Sequence, residues 1–505
     1  MYACPTVKGD SVMRTYAKVA IATLCAAAVL AVHAFAGCSS QSYVTSIAKT
    51  GTDGSNDIYT VYYSDGSSTT FSVANNSSGN VSAEDLYAEY KAQTGEDITY
   101  EQFLEKYLTV SADQSAVVTN YCLQSSMKIY AQFVESTYGY NPREGLYKSS
   151  DYNIYTGAAV IYDMDESTDG YTYLVTNYHI VYDSSADTQL NGGKNTALYT
   201  YGYLYGSEGS PYAETQTDSY GNQTVVRDEN GYTKYNYGDY AIPLEYVGGS
   251  IDNDIAVLRT RTSNIKAINP NACEVKIADS YHVGQTAIAI GNPEDGGISV
   301  TRGVISTIDE NILLDIDGDD IGSYYRSMRI DTPMYQGNSG GGLFNINGEL
   351  IGITNAGAGQ EENINYAVPL EIVTGVANNI IYYANDNNDS TNGAYDITFG
   401  VNVTTSGSVY VYDSDNGYGE VVEDINVESV ESNTIAAAMG VQSGDILKKL
   451  VVNGTTYTLN REYDISDLAL TIRAGDVITF VVERGGEEVT LTDYTVTSGD
   501  LVAID

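Results

Sequence analysis

The hydrophobic and polar residues of this chain follow the short period of β-strands far more often than the longer period of helices. Runs such as Thr156–Ile161 and Thr172–Asn177 are largely apolar, which is typical of strands that are buried on both faces. Clusters of Gly, Asn, Asp and Ser separate these runs and favour turns. We therefore predict a mainly β protein that is built from short strands.

Helical spacing is confined to a few segments. Ser82–Tyr90 begins with a capping-type pattern and places its apolar residues on one face. Further helices are predicted at Tyr100–Tyr107 and Ser115–Glu135. Alternating strands are predicted at Tyr43–Ala48, Asp57–Tyr63 and Ser68–Val73. Residues 39–115 are therefore expected to form a small α/β module.

The first 38 residues have the pattern of an export signal. Basic residues precede an apolar run, Val19–Ala36, which is followed by Gly37 and Cys38. This ending resembles the lipobox of bacterial lipoproteins, which implies that Cys38 is lipidated and becomes the first residue of the mature chain. The run is also just long enough to span a membrane as an uncleaved helix, although His33 inside it disfavours that alternative. In both cases the remaining chain is expected outside the cytoplasm, anchored to the bacterial cell membrane.

Charge and cysteine content narrow the classes of partner. The 505 residues include 24 Lys and Arg against 66 Asp and Glu, a net charge of −42, which disfavours direct binding to nucleic acid or to anionic membrane surfaces. No Cys/His cluster has the spacing of metal ligands, so no metal or other cofactor is predicted. Beyond residue 38 the cysteines are Cys122 and Cys273. A disulfide between them and two separate thiols both stay open.

A glycine-rich segment, GNSGG at 337–341, contains the strongest candidate for chemistry. Glycines on both sides of Ser339 suit a tight turn that presents the hydroxyl and aims backbone N–H groups at one point. An incidental serine in a surface turn is the alternative. The pattern also fits the nucleophile elbow of α/β-hydrolases, but that fold needs its histidine after the serine. All three histidines, His33, His179 and His282, precede Ser339, so the order His, Asp, Ser stays open.

His179 and Asp254 lie next to predicted buried strands. His179 comes shortly after Thr172–Asn177, although a lone histidine in such a place is more often structural. Asp254 directly precedes an apolar run, where a buried carboxylate would need a partner such as an imidazole N–H. Asp252 competes with it, and an ordinary turn aspartate is the alternative. His282 is expected to lie in a surface turn.

Together, the segments TNYH at 176–179, DIAVL at 254–258 and GNSGG at 337–341 resemble the trypsin-like serine proteases of the HtrA/Deg type. The resemblance covers about residues 155–376 and implies a chymotrypsin-like double β-barrel. It implies His179 as general base, Asp254 as its orienter, Ser339 as nucleophile, an oxyanion hole from Gly337, Asn338 and Ser339, and a specificity pocket from Ile364, Asn365, Tyr366 and Ala367. Because these pocket residues are uncharged, we expect a preference for apolar substrate side chains.

Residues 394–505 resemble the PDZ domains that follow HtrA-type proteases. The stretch AAAMGVQSGDIL at 436–447 carries this resemblance. It implies an α+β domain to which a peptide C-terminus adds as a strand, with its carboxylate near Thr398, Phe399, Gly400 and Val401. A small β-domain that is used only for assembly is the alternative.

The predicted order of domains is a signal at 1–38, a strand-and-helix module at 39–115, a protease domain at 116–384, a polar linker at 385–393 and a PDZ-like domain at 394–505. Between His179 and Asp254 the chain is longer than the resemblance requires. We expect Tyr182–Tyr246, which is rich in Tyr, Gly, Asn and Asp, to be an insertion. It is either a hairpin or flap over the site or an inert surface segment.

The resemblance implies a membrane-tethered serine endopeptidase that cleaves unfolded or damaged proteins outside the cytoplasm. A peptide-binding chaperone or scaffold with latent protease activity is one alternative, and a surface adhesin that uses the Tyr-rich segment is another. The expected partners are unfolded protein or peptide substrates, peptide C-termini, and the membrane through the lipid on Cys38. Assembly into a homo-oligomer such as a trimer stays open.

Overall fold

The computed structural model describes residues 44–53, 56–63, 68–74, 91, 112–143, 145–316, 318, 321–357, 363–385, 394–413 and 417–504. The predicted signal with its Cys38, the helices predicted within 82–107 (apart from Lys91) and most of the predicted linker lie outside these residues. The chain forms two compact units, Met1–Gln114 and Ser115–Asp505. No helix in the described ranges is both long enough and apolar enough to cross a membrane.

The described strands of the first unit form one antiparallel sheet. They are β1 (Val44–Asp53), β2 (Asn56–Tyr63) and β3 (Ser68–Ala74), in the order β1-β2-β3. Each overlaps one of the strands that the alternation predicts. Sequence neighbours pair with one another here, so the local pattern is sufficient to locate them.

The entry into the second unit differs from the prediction. Helix α1 (Ala112–Cys122) is followed by a 3-10 turn, Leu123–Ser125, and then by a strand that begins at Ser126. The predicted helix over Ser115–Glu135 is therefore wrong beyond Cys122. Residues 126–134 are continuously buried, because this strand pairs with neighbours on both of its edges. Burial of every residue removes the clear period of two that would have identified a strand.

The next part of the second unit contains, in chain order, β4 (Ser126–Asn141), β5 (Gly145–Met164), β6 (Tyr171–Thr176), α2 (Tyr178–Val181), β7 (Tyr199–Leu204), β8 (Tyr212–Ala213), β9 (Thr215–Thr217), β10 (Gln223–Val225), β11 (Tyr235–Asn236), β12 (Ile242–Ser250), β13 (Ile255–Arg261) and α3 (Thr262–Ile268). Six of these strands close a barrel in the order β12-β13-β6-β5-β4-β7. The closure is made by β7, which pairs with both β4 and β12.

The Tyr-rich segment at 182–246 is not a single insertion. Its strand β7 completes the barrel, and β12 begins within it at Ile242. The residues between β7 and β12 stand outside the barrel, where β8 pairs with β11 and β9 pairs with β10. Asp151 of β5 connects this outer part to the barrel. Its carboxylate accepts hydrogen bonds from the side chain of Arg227 and from the backbone N–H and hydroxyl of Thr233.

A second barrel follows the first. Its elements are β14 (Lys276–Ile277), β15 (Thr286–Gly291), a 3-10 turn at Pro293–Asp295, β16 (Ser299–Leu314), β17 (Ser323–Ile330), β18 (Gly342–Phe344), β19 (Glu349–Gly357), β20 (Asn365–Pro369) and α4 (Leu370–Asn385). The strands run in the order β14-β19-β18-β15-β16-β17-β20, and pairing of β19 with β20 closes the barrel. The predicted double β-barrel is therefore confirmed.

The remaining residues form a smaller C-terminal lobe. Its elements are β21 (Tyr395–Ile397), β22 (Val401–Asp413), β23 (Tyr418–Val430), α5 (Ile435–Met439), β24 (Ile446–Val452), β25 (Thr455–Thr458), α6 (Tyr463–Ala469), β26 (Val477–Arg484), β27 (Glu487–Thr490), β28 (Tyr494–Thr495) and β29 (Leu501–Ala503). Its main sheet runs β22-β23-β24-β26-β27. The lobe has its own apolar core, in which Phe399 packs against Phe480.

The two barrels share their largest apolar core. Val160 and Val257 of the first barrel pack in the same cluster as Ile290 and Ile353 of the second. Backbone also joins the barrels, since the N–H of Ala158 on β5 donates to the carbonyl of Ser339 at 2.9 Å. Ser339 therefore lies at the seam between the barrels.

Candidate active site

His179 and Asp254 meet at the end of adjacent strands of the first barrel. His179 lies in the short helix α2, directly after β6, and Asp254 lies in the turn directly before β13, which pairs with β6. The Nδ1 of His179 is 2.9 Å from Oδ2 and 3.1 Å from Oδ1 of Asp254. Pairing of the two strands thus brings together residues that are 75 positions apart in the chain.

Backbone and amide groups fix the position of Asp254. The side chain is 0% exposed, so each oxygen needs a partner. Oδ1 accepts the backbone N–H of His179 at 3.0 Å, and the side-chain amide of Asn177 donates to the Asp254 carbonyl at 3.0 Å. Asp254 has a φ of 50°, a conformation that costs a non-glycine residue about 1–2 kcal/mol. The competing Asp252 is exposed.

The imidazole of His179 remains accessible on one side while its other side faces the carboxylate. Its side chain is 30% exposed. Burial lowers the pKa of His179, but the negative charge and hydrogen bond of Asp254 outweigh burial, and the pKa lies above its ordinary value of 6.5. The ring can therefore gain a proton on its exposed face and keep it stabilised.

Ser339 lies on a turn that only glycines can form. Gly337 and Gly340 have φ values of 97° and 83°. A Cβ on Gly340 would lie 2.1 Å from the Ala158 carbonyl oxygen and 2.2 Å from the hydroxyl of Thr176. The absence of a side chain lets the serine turn approach the strand that ends three residues before His179.

The hydroxyl of Ser339 donates to the backbone carbonyl of Asn355 at 2.7 Å, rather than to His179. Asn355 lies on β19 and is 2% exposed. Both polar atoms of its side-chain amide lack a hydrogen-bond partner among the described residues. Sequence reasoning missed Asn355, because its role depends on the pairing that brings β19 beside the serine turn.

Two backbone N–H groups beside Ser339 are unused. Among the described residues, neither the N–H of Gly337 nor that of Ser339 donates a hydrogen bond, whereas the N–H of Asn338 donates to the Tyr335 carbonyl at 3.0 Å. The carbonyl of Gln336 accepts the N–H of Glu294 at 2.7 Å, and the carbonyl of Asn338 accepts the hydroxyl of Thr354 at 2.6 Å.

These two carbonyl contacts determine the direction of the unused N–H groups. The C=O and N–H of one trans peptide unit point in opposite directions. Holding the Gln336 carbonyl therefore aims the Gly337 N–H to the other side, and holding the Asn338 carbonyl does the same for the Ser339 N–H. The turn presents two free donors next to a serine hydroxyl.

The residues expected to form a specificity pocket lie at the start of β20. Asn365 and Tyr366 pair with Gly357 and Ala356, the two residues after Asn355 on β19. The Asn365 amide donates to a backbone carbonyl, that of Thr332, at 2.9 Å. The hydroxyl of Tyr366 donates to the carboxylate of Glu310 at 3.0 Å. Ala367 is buried and Ile364 is half-buried.

The four residues expected near a peptide carboxylate connect β21 to β22 in the C-terminal lobe. Phe399 is buried, and its carbonyl accepts the N–H of Ala436 at 3.0 Å. Gly400 has a φ of 75°, and a Cβ there would meet the side chain of Thr434. Val401 begins β22, which pairs with β23 and, among the described residues, has no strand on its other edge.

Two other sets of residues that the sequence singled out also have a defined environment. His282 begins the predicted turn, since its carbonyl accepts the N–H of Gln285 at 3.1 Å. Its ring is also stacked on Tyr418 of β23, with ring centroids 4.0 Å apart, so it contacts the C-terminal lobe. Cys122 and Cys273 are free thiols, of which Cys122 is buried. No signal in the local sequence could have revealed the stacking of His282, because Tyr418 is more than 100 residues away.

Comparison with known proteins gives a consistent result. The trypsin-like peptidase domain family matches residues 157–353. The serine endoprotease DegS of Haemophilus influenzae is 34% identical over 209 residues, which cover 40% of this chain and 53% of DegS. The serine protease Do-like HtrA of Lactococcus lactis is 24% identical over 387 residues, which cover 74% of this chain and 77% of that protein. The chain thus spans about half the length of DegS.

A solved structure of an HtrA-type protease, AlgW with a decapeptide, is also similar. It is 20% identical, covers 78% of this chain and 99% of its own, and has a TM-score of 0.43.

Proposed function

We propose that this chain is a serine endopeptidase, on the premise that residues 157–353 match the trypsin-like peptidase domain family and that the chain has relatives among the HtrA/Deg serine proteases. Ser339 is the nucleophile, His179 the general base and Asp254 the residue that orients the base. One observation carries the proposal. The buried Asp254 holds Nδ1 of a histidine, at the seam where a serine turn with two unused N–H groups packs against the same barrel.

The reaction begins with a proton transfer. A serine hydroxyl is a weak nucleophile at neutral pH and needs a base. In the structure its hydrogen is directed at the Asn355 carbonyl, so the side chain must first rotate toward Nε2 of His179. His179 then takes the proton while the Ser339 oxygen bonds to the substrate carbonyl carbon. The protonated imidazole later donates this proton to the leaving amine, which leaves an acyl-enzyme for water to hydrolyse.

Asp254 has two tasks in this scheme. It accepts the Nδ1–H of His179, which leaves Nε2 with the lone pair that receives the serine proton. Its negative charge also stabilises the imidazolium that forms. Because its carboxylate is bonded to the backbone N–H of His179 as well, it is held in one orientation through both steps.

The unused N–H groups of Gly337 and Ser339 form the oxyanion hole. They would donate to the negative oxygen of the tetrahedral intermediate, and one such donor is worth about 2.7–4 kcal/mol. The N–H of Asn338 already donates to the Tyr335 carbonyl, so we assign Asn338 to the shape of the turn. Ile364, Asn365, Tyr366 and Ala367 line the specificity pocket, in which uncharged side chains favour apolar residues of the substrate.

The substrates are unfolded or damaged proteins outside the cytoplasm. A relative from Halomonas elongata is described as a probable periplasmic serine endoprotease, which supports the location. The proposal keeps Cys38 as the site of a lipid anchor, and the C-terminal lobe as a PDZ-like domain that binds peptide C-termini at Thr398, Phe399, Gly400 and Val401. A free edge on β22 supports strand addition.

The first prediction tests the proposal directly. Purified protein is expected to cleave casein, and Ser339→Ala is expected to lose this activity at least 1,000-fold without unfolding, because only the hydroxyl is removed. A fluorophosphonate probe should label the wild type and not the variant. Circular dichroism of the variant is the control for folding.

Casein cleavage by the Ser339→Ala variant at the wild-type rate would refute the serine protease assignment. A folded wild type that binds unfolded casein without cleaving it would instead favour the chaperone or scaffold. Cleavage of casein that depends on Ser339 argues against both that alternative and the adhesin.

A further inference from the structure

A buried lysine lies outside the proposed catalytic residues. The side chain of Lys128, on β4, is 2% exposed, and its Nζ is 2.8 Å from Oδ1 of Asp295. The same carboxylate oxygen accepts the hydroxyl of Tyr130 at 2.5 Å. Taking the ammonium group of Lys128 out of water carries a desolvation penalty that offsets much of its attraction to the partly exposed Asp295. Fold stability alone is therefore a weak reason for a lysine at this place in the barrel.

Asp295 ends a short turn that has an unfavourable backbone conformation. Glu294 and Asp295 have φ values of 52° and 58°, and each costs about 1–2 kcal/mol in an L-residue. Such a conformation persists only where surrounding contacts hold it. Lys128 and Tyr130 provide these contacts from the first barrel, and the amide of Asn292 bonds to Oδ1 of Asp295 at 3.4 Å.

This turn forms backbone hydrogen bonds to the serine turn, which contains the proposed oxyanion hole. The N–H of Glu294 donates to the Gln336 carbonyl at 2.7 Å, and the N–H of Asn292 donates to the Gly337 carbonyl at 3.2 Å. Gly337 has no Cβ to resist rotation of its peptide units. If the Glu294 N–H moved away, the Gln336–Gly337 peptide could rotate and the Gly337 N–H would no longer point into the site.

We propose that the Lys128–Asp295 ion pair is a positioning pair for the oxyanion hole: it holds Pro293–Asp295 in the strained conformation that keeps the Gly337 N–H directed at the oxyanion. This inference rests on the proposed protease function and extends it to residues that never contact substrate. Charge supports the assignment, because burial alone would raise the pKa of Asp295, whereas bonds from Lys128 and Tyr130 hold that pKa below its ordinary value. The carboxylate is thus ionised throughout the working range.

The outer segment between β7 and β12 also reaches the pair. The hydroxyl of Ser210 lies 3.3 Å from Nζ of Lys128 and 3.0 Å from the hydroxyl of Tyr130. Ser210 therefore completes the hydrogen bonding of the lysine where the barrel wall ends. Part of the Tyr-rich segment is thereby joined to the serine turn through Lys128, Asp295 and Glu294.

The experiment compares Lys128→Met, Lys128→Arg and Asp295→Asn in the full chain with the wild type. The substrate is a chromogenic peptide built on the main casein cleavage site, identified by mass spectrometry. We expect Lys128→Met to lower kcat about 10- to 100-fold, within the effect of losing one oxyanion donor, with KM changed less than about threefold. Lys128→Arg should retain most of the wild-type kcat, and Asp295→Asn should lower it at least about fivefold.

An inhibitor separates positioning from structure. A peptide aldehyde of the same sequence forms a tetrahedral adduct with Ser339, so its affinity depends on the oxyanion hole, whereas the product peptide depends only on ground-state contacts. Lys128→Met should weaken aldehyde binding by the same factor as kcat and leave product binding unchanged. The matched control is Lys266→Met, which removes the ion-pair partner of the exposed Glu166 next to the same barrel. This variant should keep kcat, aldehyde affinity and product affinity at the wild-type level.

Each outcome decides the question. If Lys128→Met has the kcat and the aldehyde affinity of the wild type per folded molecule, the inference is overturned. If Lys128→Met fails to fold, the same result in Asp295→Asn overturns it. A lower melting temperature with unchanged kcat would mean that the pair is structural only, and would overturn it too. Asp295 is 39% exposed, so its asparagine variant is expected to fold. Ser339-dependent hydrolysis by the wild type is measured first, which separates failure of the pair from failure of the proposed function.

Discussion

At the scale of single residues, backbone groups hold most of the polar side chains around Ser339. Asp254 is bonded to the N–H of His179, Thr354 to the Asn338 and Gly341 carbonyls, and Ser339 to the Asn355 carbonyl. A backbone donor or acceptor has no rotamers of its own, so ordering it costs less entropy than ordering a second side chain. The geometry of the site is therefore set mainly by the fold.

The second prediction concerns the pH dependence of activity. A protonated His179 cannot accept the proton of Ser339, so kcat/KM should fall as pH falls through the pKa of His179. Asp254 raises that pKa above 6.5, so activity is full above this raised value and is lost at a higher pH than an ordinary histidine would give. A profile of kcat/KM from pH 5 to 9, with folding checked at each pH, should fall on its acid side as expected for the protonation of a single group. A flat profile across this range would exclude His179 as the base.

The third prediction concerns Thr354. Thr354→Val keeps the branched shape and removes the hydroxyl that bonds to the Asn338 carbonyl at 2.6 Å. The peptide between Asn338 and Ser339 then loses a contact that orients the Ser339 N–H, and we expect kcat to fall about tenfold or more. The lost hydrogen bond should also reduce stability by about 1–3 kcal/mol.

Thr354→Ser is the matched control, because it retains the hydroxyl and loses only a methyl group. Its kcat should stay within about threefold of the wild type. Equal kcat values for the valine and serine variants would show that the hydroxyl does not orient the turn.

At the scale of elements, the serine turn depends on its fit against the first barrel. Its main chain contacts β5 through the bond between Ala158 and Ser339, and β19 through the bond from the N–H of Gly340 to the Thr354 carbonyl. A turn that is wedged between two barrels cannot accept added volume. Close packing of this kind transmits small displacements directly to the groups that the turn presents.

The fourth prediction follows from this packing. Gly340→Ala places a Cβ 2.1 Å from the Ala158 carbonyl oxygen at a φ of 83°, so it adds a clash to the strain of a left-handed residue. We expect a loss of at least about 2–4 kcal/mol of stability and at least 100-fold lower kcat. Thermal unfolding and casein hydrolysis are the measurements.

Gly221→Ala separates the effect of the steric clash from the effect of the backbone strain. Gly221 has a φ of 87° and no atom within 4 Å of the added Cβ, so this variant has the strain without the clash. It should lose about 1 kcal/mol of stability and keep wild-type kcat. If Gly340→Ala were no more harmful than Gly221→Ala, the close fit of the turn would be irrelevant to activity.

At the scale of the whole second unit, the C-terminal lobe is bonded to the second barrel by ion pairs. Arg326 of β17 contacts both carboxylate oxygens of Asp467 on α6, at 2.5 and 2.6 Å, and Arg461 contacts Asp309 of β16 at 2.7 Å. Arg326 and Asp467 are 12% and 11% exposed. Removing one member of such a pair leaves a buried, uncompensated charge.

The fifth prediction tests this contact. Arg326→Met should destabilise the protein by about 3–5 kcal/mol at neutral pH. Burial raises the pKa of Asp467 to about 7 even though Arg326 opposes the shift. The loss should therefore shrink at pH 5, where the carboxyl group is protonated in the folded state of both the wild type and the variant, while the unfolded carboxyl, which is ionised in both, cancels. Urea and thermal unfolding at pH 5 and pH 8 measure the difference.

The double variant Arg326→Met/Asp467→Leu should recover most of the lost stability, since it removes both charges. Lys449→Met is the control, because Lys449 and Glu488 form an exposed pair that is worth less than about 1 kcal/mol. A double variant as unstable as the single one would mean that packing of Arg326 with Tyr463, rather than charge, holds the lobe.

The sequence alone determined the features that are written in neighbouring residues. Alternation located the strands of the first unit. The order of His179, Asp254 and Ser339 was enough to exclude one hydrolase fold. The resemblance of the segments around these residues to the HtrA/Deg proteases implied the double barrel, because a motif is a local combination of residues.

Tertiary structure decided everything that depends on partners far apart in the chain. Ser126–Val134 reads locally as a helix, yet pairing with β5 and β7 makes it a strand. The bond from Ser339 to Asn355, the unused N–H groups of the turn and the contact of Lys128 with Asp295 have no local signal. Each arises when barrel closure brings distant backbone into contact. The free energy of that closure comes from burial summed over the whole core, which no short window of sequence contains.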